Sequence, residues 1–152
     1  MSDNPQLFTD EHRQLLGKEF HRAEWRLTRE LILEYAEIMG VQHPIYLDAE
    51  AARARGHRDL IALPSLLLAD SAWPLVPPSI PFSGIGLNAG YECEFYSDIC
   101  PGDTLTYSTC LADLYTKTGR SGMMNFVIRE TTITNQLGER VALIRNPFIL
   151  RW

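Results

Sequence analysis

The chain has 152 residues, 45% of them hydrophobic, and a formal charge of −5 from 14 basic and 19 acidic side chains. That length and apolar content fit one compact domain with a single core, residues 1–152. Thinly spread basic residues leave no electrostatic footprint for nucleic acid or an anionic lipid surface. No apolar run approaches the roughly 20 residues of a membrane span. The start MSDNPQLFTDEHRQ lacks both a basic beginning and an apolar core, so the expected location is the cytoplasm.

Residues 1–23 read as a polar N-terminal extension. The first helix is expected after Thr28, whose hydroxyl can cap it, with Glu30 in the positive first turn, Leu31, Tyr35 and Ile38 at helical spacing, and Gly40 as its end. A second, surface helix is predicted after Asp48, a capping carboxylate, with Gly56 as the left-handed terminator. Ser65 to Trp73 is hydrophobic on nearly every face and follows Pro64, which predicts a third helix buried in the core. The segment PLVPPSIPFSG holds four of the nine prolines and reads as a stiff surface loop.

Beyond it the pattern becomes LNAGYECEFYSDI, TLTYSTCLADLYT, GMMNFVIRETTIT and RVALIRNPFILRW, rich in β-branched and aromatic residues and separated by turn clusters. Strands of that length imply a long, curled antiparallel sheet wrapped around the central α-helix, an α+β architecture. Cys93, Cys100 and Cys110 are odd in number and lack paired spacing, which argues against disulfides or zinc and for buried or strand thiols.

Three segments, YAEIMGVQHPIYLDAEAARARGHRDLIALPSLL, YECEFYSDICPGDTLTYSTCLADLYTKTGRSG and VIRETTITNQLGERV, resemble the MaoC-type hot-dog dehydratases and hydratases. The similarity runs from about Glu24 to the C-terminus. It is closest to the branch of N-terminal MaoC domains and noncatalytic subunits of heteromeric bacterial hydratases. The resemblance implies a hot-dog fold and a hydro-lyase acting on acyl thioesters. It implies no metal or redox cofactor, with coenzyme A entering only as part of the substrate.

Active members carry GDxNPxHxD, in which the Asp and the His hold water and move protons. Here the segment is Gly40 to Asp48, so the Asp position is Val41, the His position is Tyr46 and the Asn position is His43. Valine does not titrate, and an unperturbed tyrosine, with a pKa of about 10, is a poor base near neutrality. Active members also use a glycine N–H of an IxHGM-like segment as an oxyanion donor. The matching run, Ile61 to Leu66, places Pro64 there, and proline has no N–H.

The resemblance therefore implies a subunit inactive alone, paired with a second MaoC-like subunit as a heterodimer or dimer of heterodimers. Two alternatives remain open: a homodimeric hydratase or thioesterase using His43 or Tyr46, and a nonenzymatic acyl-CoA-binding protein. Tyr46, Pro64 and Ser65 are candidate substrate contacts, with Phe82, Gly84, Gly86 and Gly90 shaping an acyl tunnel. Lys117 and Arg120, in a turn with Gly119 and Gly122, are candidates for the phosphates of coenzyme A, though solvated turn charges are a sufficient account of them. Asp48 is expected to be a helix cap, and Pro101, Gly102 and Asp103 a structural turn.

Overall fold

The computed structural model describes residues 8–69, 74–120 and 122–151. A short helix, α1 (Asp10–Arg13), precedes strand β1 (Glu19–Arg26) and helix α2 (Arg29–Ile38). A 3-10 turn (Pro44–Tyr46), helix α3 (Ala49–Arg53) and a second 3-10 turn (Pro64–Leu68) follow. The remainder is sheet: β2 (Ile85–Asn88), β3 (Glu92–Phe95), β4 (Thr104–Gly119), β5 (Gly122–Thr134) and β6 (Arg140–Arg151). The strand order is β1-β4-β5-β6, with β2 and β3 both pairing with β6, and every pairing is antiparallel.

Period-two alternation turns one face of the sheet inward. Leu105, Tyr107, Thr109 and Leu111 of β4 are buried, as are Val127, Arg129, Thr131 and Ile133 of β5 and Ile144, Asn146, Phe148 and Leu150 of β6. A bulge between Leu111 and Asp113 shifts the phase of β4, so that Leu114 points inward and Asp113 outward. Two clusters fill the inner face. One joins Leu27, Ile32 of α2, Leu60, Leu66 and Leu67 to Tyr107 and Ile133. The other joins Phe8 and Ile80 to Leu111, Leu114, Val127, Phe148 and Leu150. Between them lies a polar band: the Thr109 and Thr131 hydroxyls are 2.8 Å apart, and Arg129 donates to Pro74 O at 2.9 Å and Asn146 Oδ1 at 2.7 Å. Burial brings the Arg129 guanidinium down to about 10.

The helix caps follow the sequence. Thr28 accepts from Leu31 N, Asp48 accepts from Glu50 N and Ala51 N, and Gly40 and Gly56 have φ of 68° and 93°. Five expectations need correction. In α2 Leu31 and Tyr35 pack on the core beside the buried Ile32 and Ala36, but Ile38 is 74% exposed. The buried helix over Ser65 to Trp73 is instead a 3-10 turn ending at Leu68. Leu63 has no side chain to cap an α-helix, and i→i+3 bonds such as Ala69 N to Leu66 O close the turn. Residues 70–73 of that expectation lie outside the described residues.

The polar extension over 1–23 contains α1 and the start of β1, whose Phe20, Ala23 and Trp25 pack inward between outward charges. The expected strand over 87–99 is two short strands. The break comes at Gly90, φ 120°, where the Asn146 amide donates to Gly90 O at 2.6 Å and to Asn88 Oδ1 at 3.1 Å. The proline-rich segment has no helix or strand over 74–84, yet it is more than a surface loop: Ile80 is buried, and Leu75, Val76 and Phe82 pack on the second cluster. No helix among the described residues is long and apolar enough to cross a membrane.

Candidate functional site

Three segments converge at one margin of the sheet. Ile61 N donates to Ile45 O at 3.0 Å and Ala62 N to Ile99 O at 2.7 Å, which brings the Pro44–Tyr46 turn, the Pro64 turn and the exit of β3 together. Between them is a cleft of about 220 Å³ whose walls include Tyr46, Pro64, Phe95, Tyr96, Asp98 and Ile99. Phe95 and Tyr96 are about half exposed, as are Leu87 and Tyr91 farther along the same margin, and Ile85 is 67% exposed. The paired strands end here, so the cleft opens onto a sheet edge that no strand among the described residues covers and on which Ile85, Leu87 and Phe95 alternate with Asn88, Glu92 and Glu94.

Of the residues singled out from sequence, Tyr46 and Pro64 reach this cleft together. Tyr46 is held by its N–H to His43 O at 3.1 Å, and its ring stands edge-on to His43 at 6.1 Å. Val41 is half-buried and is not part of the cleft wall, its N–H donating to Ala36 O at 2.9 Å. Ser65 is adjacent, but its Oγ accepts from the Tyr35 hydroxyl at 3.2 Å. His43 is exposed and outside the cleft wall: Nδ1 lies 3.4 Å from Ile45 N, and Nε2 lies 3.3 Å from Arg55 Nη1. Asp48 serves as a cap.

The other candidates lie elsewhere. Phe95 occupies the cross-strand row of Ala142, Ile133 and Tyr107. Lys117 is about 30 Å farther along β4 at about 3.3 Å per residue, beyond the reach of this chain's own cleft. Its ammonium sits 5.2 Å from the Tyr115 ring and 5.7 Å from that of Phe126, and Arg120 is exposed in the same hairpin turn. Phe82 belongs to the second cluster and Gly84 is exposed. At Gly86 a Cβ would run into the Cδ1 end of Leu75, which would have to shift to admit it. Close approach is the reason for glycine at that position.

Sequence reading missed Phe95, Tyr96 and the contact of His57 Nδ1 with Asp98 Oδ2 at 2.5 Å, which ties the segment after α3 to the cleft wall. No local signal pairs residues 41 apart; the tertiary fold does. Among the described residues no group of three His, Cys, Asp or Glu is gathered as a metal would require. Burial raises the Cys100 thiol to about 11, and also raises Cys93 and Cys110.

A curled antiparallel sheet holding short helical segments, with a cleft at one open edge, defines the hot-dog class of fold. The ChsH1-ChsH2 complex from Mycobacterium tuberculosis superimposes with a TM-score of 0.74 at 20% identity, covering 91% of this chain and 87% of the other. A profile of the FAS1-like, dehydratase domain region matches residues 14–144. The chain therefore belongs to that family of MaoC-like hot-dog proteins.

A UPF0336 protein of Clavibacter michiganensis is 29% identical over 136 residues, 85% of this chain and 87% of the relative. A probable enoyl-CoA hydratase alpha subunit of Thermomonospora curvata is 29% identical over 76% of this chain, which spans 42% of that protein's length. A UPF0336 protein of Streptomyces griseus is 54% identical over 43 residues, 29% of its length.

Proposed function

We propose that this chain is the noncatalytic, substrate-binding subunit of a heteromeric enoyl-thioester hydratase or 3-hydroxyacyl-thioester dehydratase. The observation that carries the reading is the composition of the cleft. Its wall holds Tyr46 and Pro64, which the motif resemblance sets at the family's proton-transferring His and oxyanion-donating glycine, and the same motif has Val41 at the Asp position. Each proton-transfer group contributes roughly 10² to 10⁴ in rate, and an oxyanion donor roughly 10² to 10³. A cleft without them binds and positions. The partner subunit would supply the Asp and His that add water across the 2,3-double bond, with hydroxyl going to C3 and a proton to C2.

The exposed edge of Ile85, Leu87, Phe95 and Tyr96 supports a second hot-dog subunit as the partner, because a strand edge exposing large apolar side chains is stable only when covered. The relatives point the same way: one is named an alpha subunit, and a structural neighbour is a two-protein complex. A self-sufficient enzyme using His43 has less support, since that ring already faces Ile45 N and Arg55. The test is hydration of a panel of 2-enoyl-CoA thioesters by the purified chain, alone and with a co-encoded hot-dog protein carrying GDxNPxH. Turnover in the mixture alone is expected; turnover by the isolated chain would overturn the reading.

A further inference from the structure

We infer that Arg55, which reaches the His43 ring beside Tyr46, and Arg140, beside Tyr96, bind the phosphate groups of the thioester's carrier. The inference rests on the proposed function and moves the phosphate contacts away from Lys117 and Arg120.

Most arginines near the cleft are already neutralised. Arg29 and Arg53 both reach Asp59, at 2.8 and 3.6 Å, and Arg58 pairs with the buried Asp103. Arg55 and Arg140 form no ion pair with a carboxylate among the described residues. Arg55 instead points Nη1 at a ring nitrogen of His43, 3.3 Å away. That imidazole faces a second donor, Ile45 N, at 3.4 Å on its other nitrogen. A neutral imidazole has one acceptor nitrogen and an imidazolium has none, so two donors face at most one acceptor. An anion that accepts from Arg55, and from His43 when its Nε2 carries a proton, resolves the mismatch. The His43 ring contacts Tyr46 edge-on, which places this pair beside the cleft wall.

The surroundings of Arg140, beside the wall residue Tyr96, differ but have the same consequence. The Arg140 guanidinium lies over the ring of Tyr96, 5.6 Å from its centroid, while the Tyr96 hydroxyl donates to Glu94 at 2.7 Å. The Tyr96 hydroxyl takes up one of the guanidinium's N–H donors, and the others, the part that matches phosphate oxygens, meet no carboxylate among the described residues. The one carboxylate on the wall, Asp98, is engaged by His57. Two cationic groups beside a cleft with Tyr46 and Pro64 on its wall fit a ligand with an acyl thioester inward and phosphates outward. Lys117 is committed to the Tyr115 and Phe126 rings at the far end of β4.

The experiment is calorimetric titration of the full chain, alone and with its hot-dog partner, using coenzyme A, pantetheine 4′-phosphate and pantetheine. Coenzyme A is expected to bind more tightly than pantetheine. Arg55→Gln and Arg140→Gln should each weaken it about tenfold, the size of a charge-assisted contact, with pantetheine binding unchanged. Arg55→Lys should keep most of the affinity, and the double variant Lys117→Gln/Arg120→Gln all of it. If the same loss appears with pantetheine 4′-phosphate, the phosphate read is the one that coenzyme A shares with a carrier protein; loss with coenzyme A alone assigns the nucleotide phosphates, and either supports the inference. Wild-type affinity in both arginine variants would overturn it while leaving the proposed function standing. Failure of the wild-type chain to bind coenzyme A in either form would overturn both.

Discussion

Removing the Asp103 carboxylate tests how the turn that launches β4 is held. Its side chain is 2% exposed, and its Oδ2 accepts from Cys100 N at 2.9 Å and from Arg58, while Oδ1 accepts from Gln136 at 3.1 Å. The backbone around it is equally committed, with Gly102 N to Leu27 O and Leu27 N to Asp103 O both at 2.8 Å. In Asp103→Ala the buried Cys100 N–H loses its acceptor, a cost of about 1–3 kcal/mol. Arg58 is 54% exposed, so its share is screened and small. With the Gln136 bond included, the loss is about 3 kcal/mol. At about 2–4 °C per kcal/mol for a domain of this size, the melting temperature should fall by roughly 6–12 °C.

Burial by itself raises the Asp103 carboxyl, but the bonds from Arg58, Cys100 N and Gln136 outweigh it and hold the group below its ordinary range. A carboxyl lowered in the folded state stabilises above its unfolded pKa of about 3.9, and that contribution is lost as pH falls through the folded value. Thermal melts read by circular dichroism at pH values from about 7 to about 3 should therefore show the gap between wild type and Asp103→Asn narrowing at the acid end. Asp103→Ala melting within about 2 °C of wild type, or a gap to Asp103→Asn independent of pH, would refute the reasoning.

Three further outcomes follow from the packing. Gly86→Ala should cost about 1–2 kcal/mol by forcing Leu75 aside, and adding Leu75→Ala should make the glycine substitution nearly neutral, which chemical denaturation of the double-mutant cycle checks. Cys100, fully buried with its thiol raised to about 11, should resist alkylation at neutral pH until the chain unfolds, whereas Cys93 and Cys110 are half-buried; mass spectrometry of iodoacetamide-treated protein gives the order. Leu87→Lys with Phe95→Lys should leave the fold intact and weaken subunit association, measured by light scattering; an unchanged assembly would exclude the β2–β3 edge as the covered surface.

The helix caps, the left-handed glycines and the three long strands were legible from the chain alone, because each rests on neighbours within a few residues. Thr28, Asp48, Gly40 and Gly56 act on the backbone beside them, and the alternation in β4, β5 and β6 repeats every two positions. Tyr46 and Pro64 could also be singled out from the chain alone, since each lies in a contiguous segment that resembles a family motif, and the fold sets both on the cleft wall. Strand β1 was also within reach: Phe20, Ala23 and Trp25 face inward between charges, but a bulge between Glu19 and His21 breaks the alternation.

Other features depended on partners distant in the chain. Only the register of β3 on β6 places Phe95 and Tyr96 at the cleft, and only the fold sets His57 against Asp98. Lys117 and Arg120 lie far from this chain's own cleft for the same reason. A strand as long as β4 carries its hairpin turn far from the start that the cleft adjoins, and sequence proximity to a family motif says nothing about that span. Which arginines are neutralised and which face outward was decided last, by tertiary packing that brings Asp59 to Arg29 and Arg53 and Asp103 to Arg58 while leaving Arg55 with a histidine and Arg140 with a tyrosine ring.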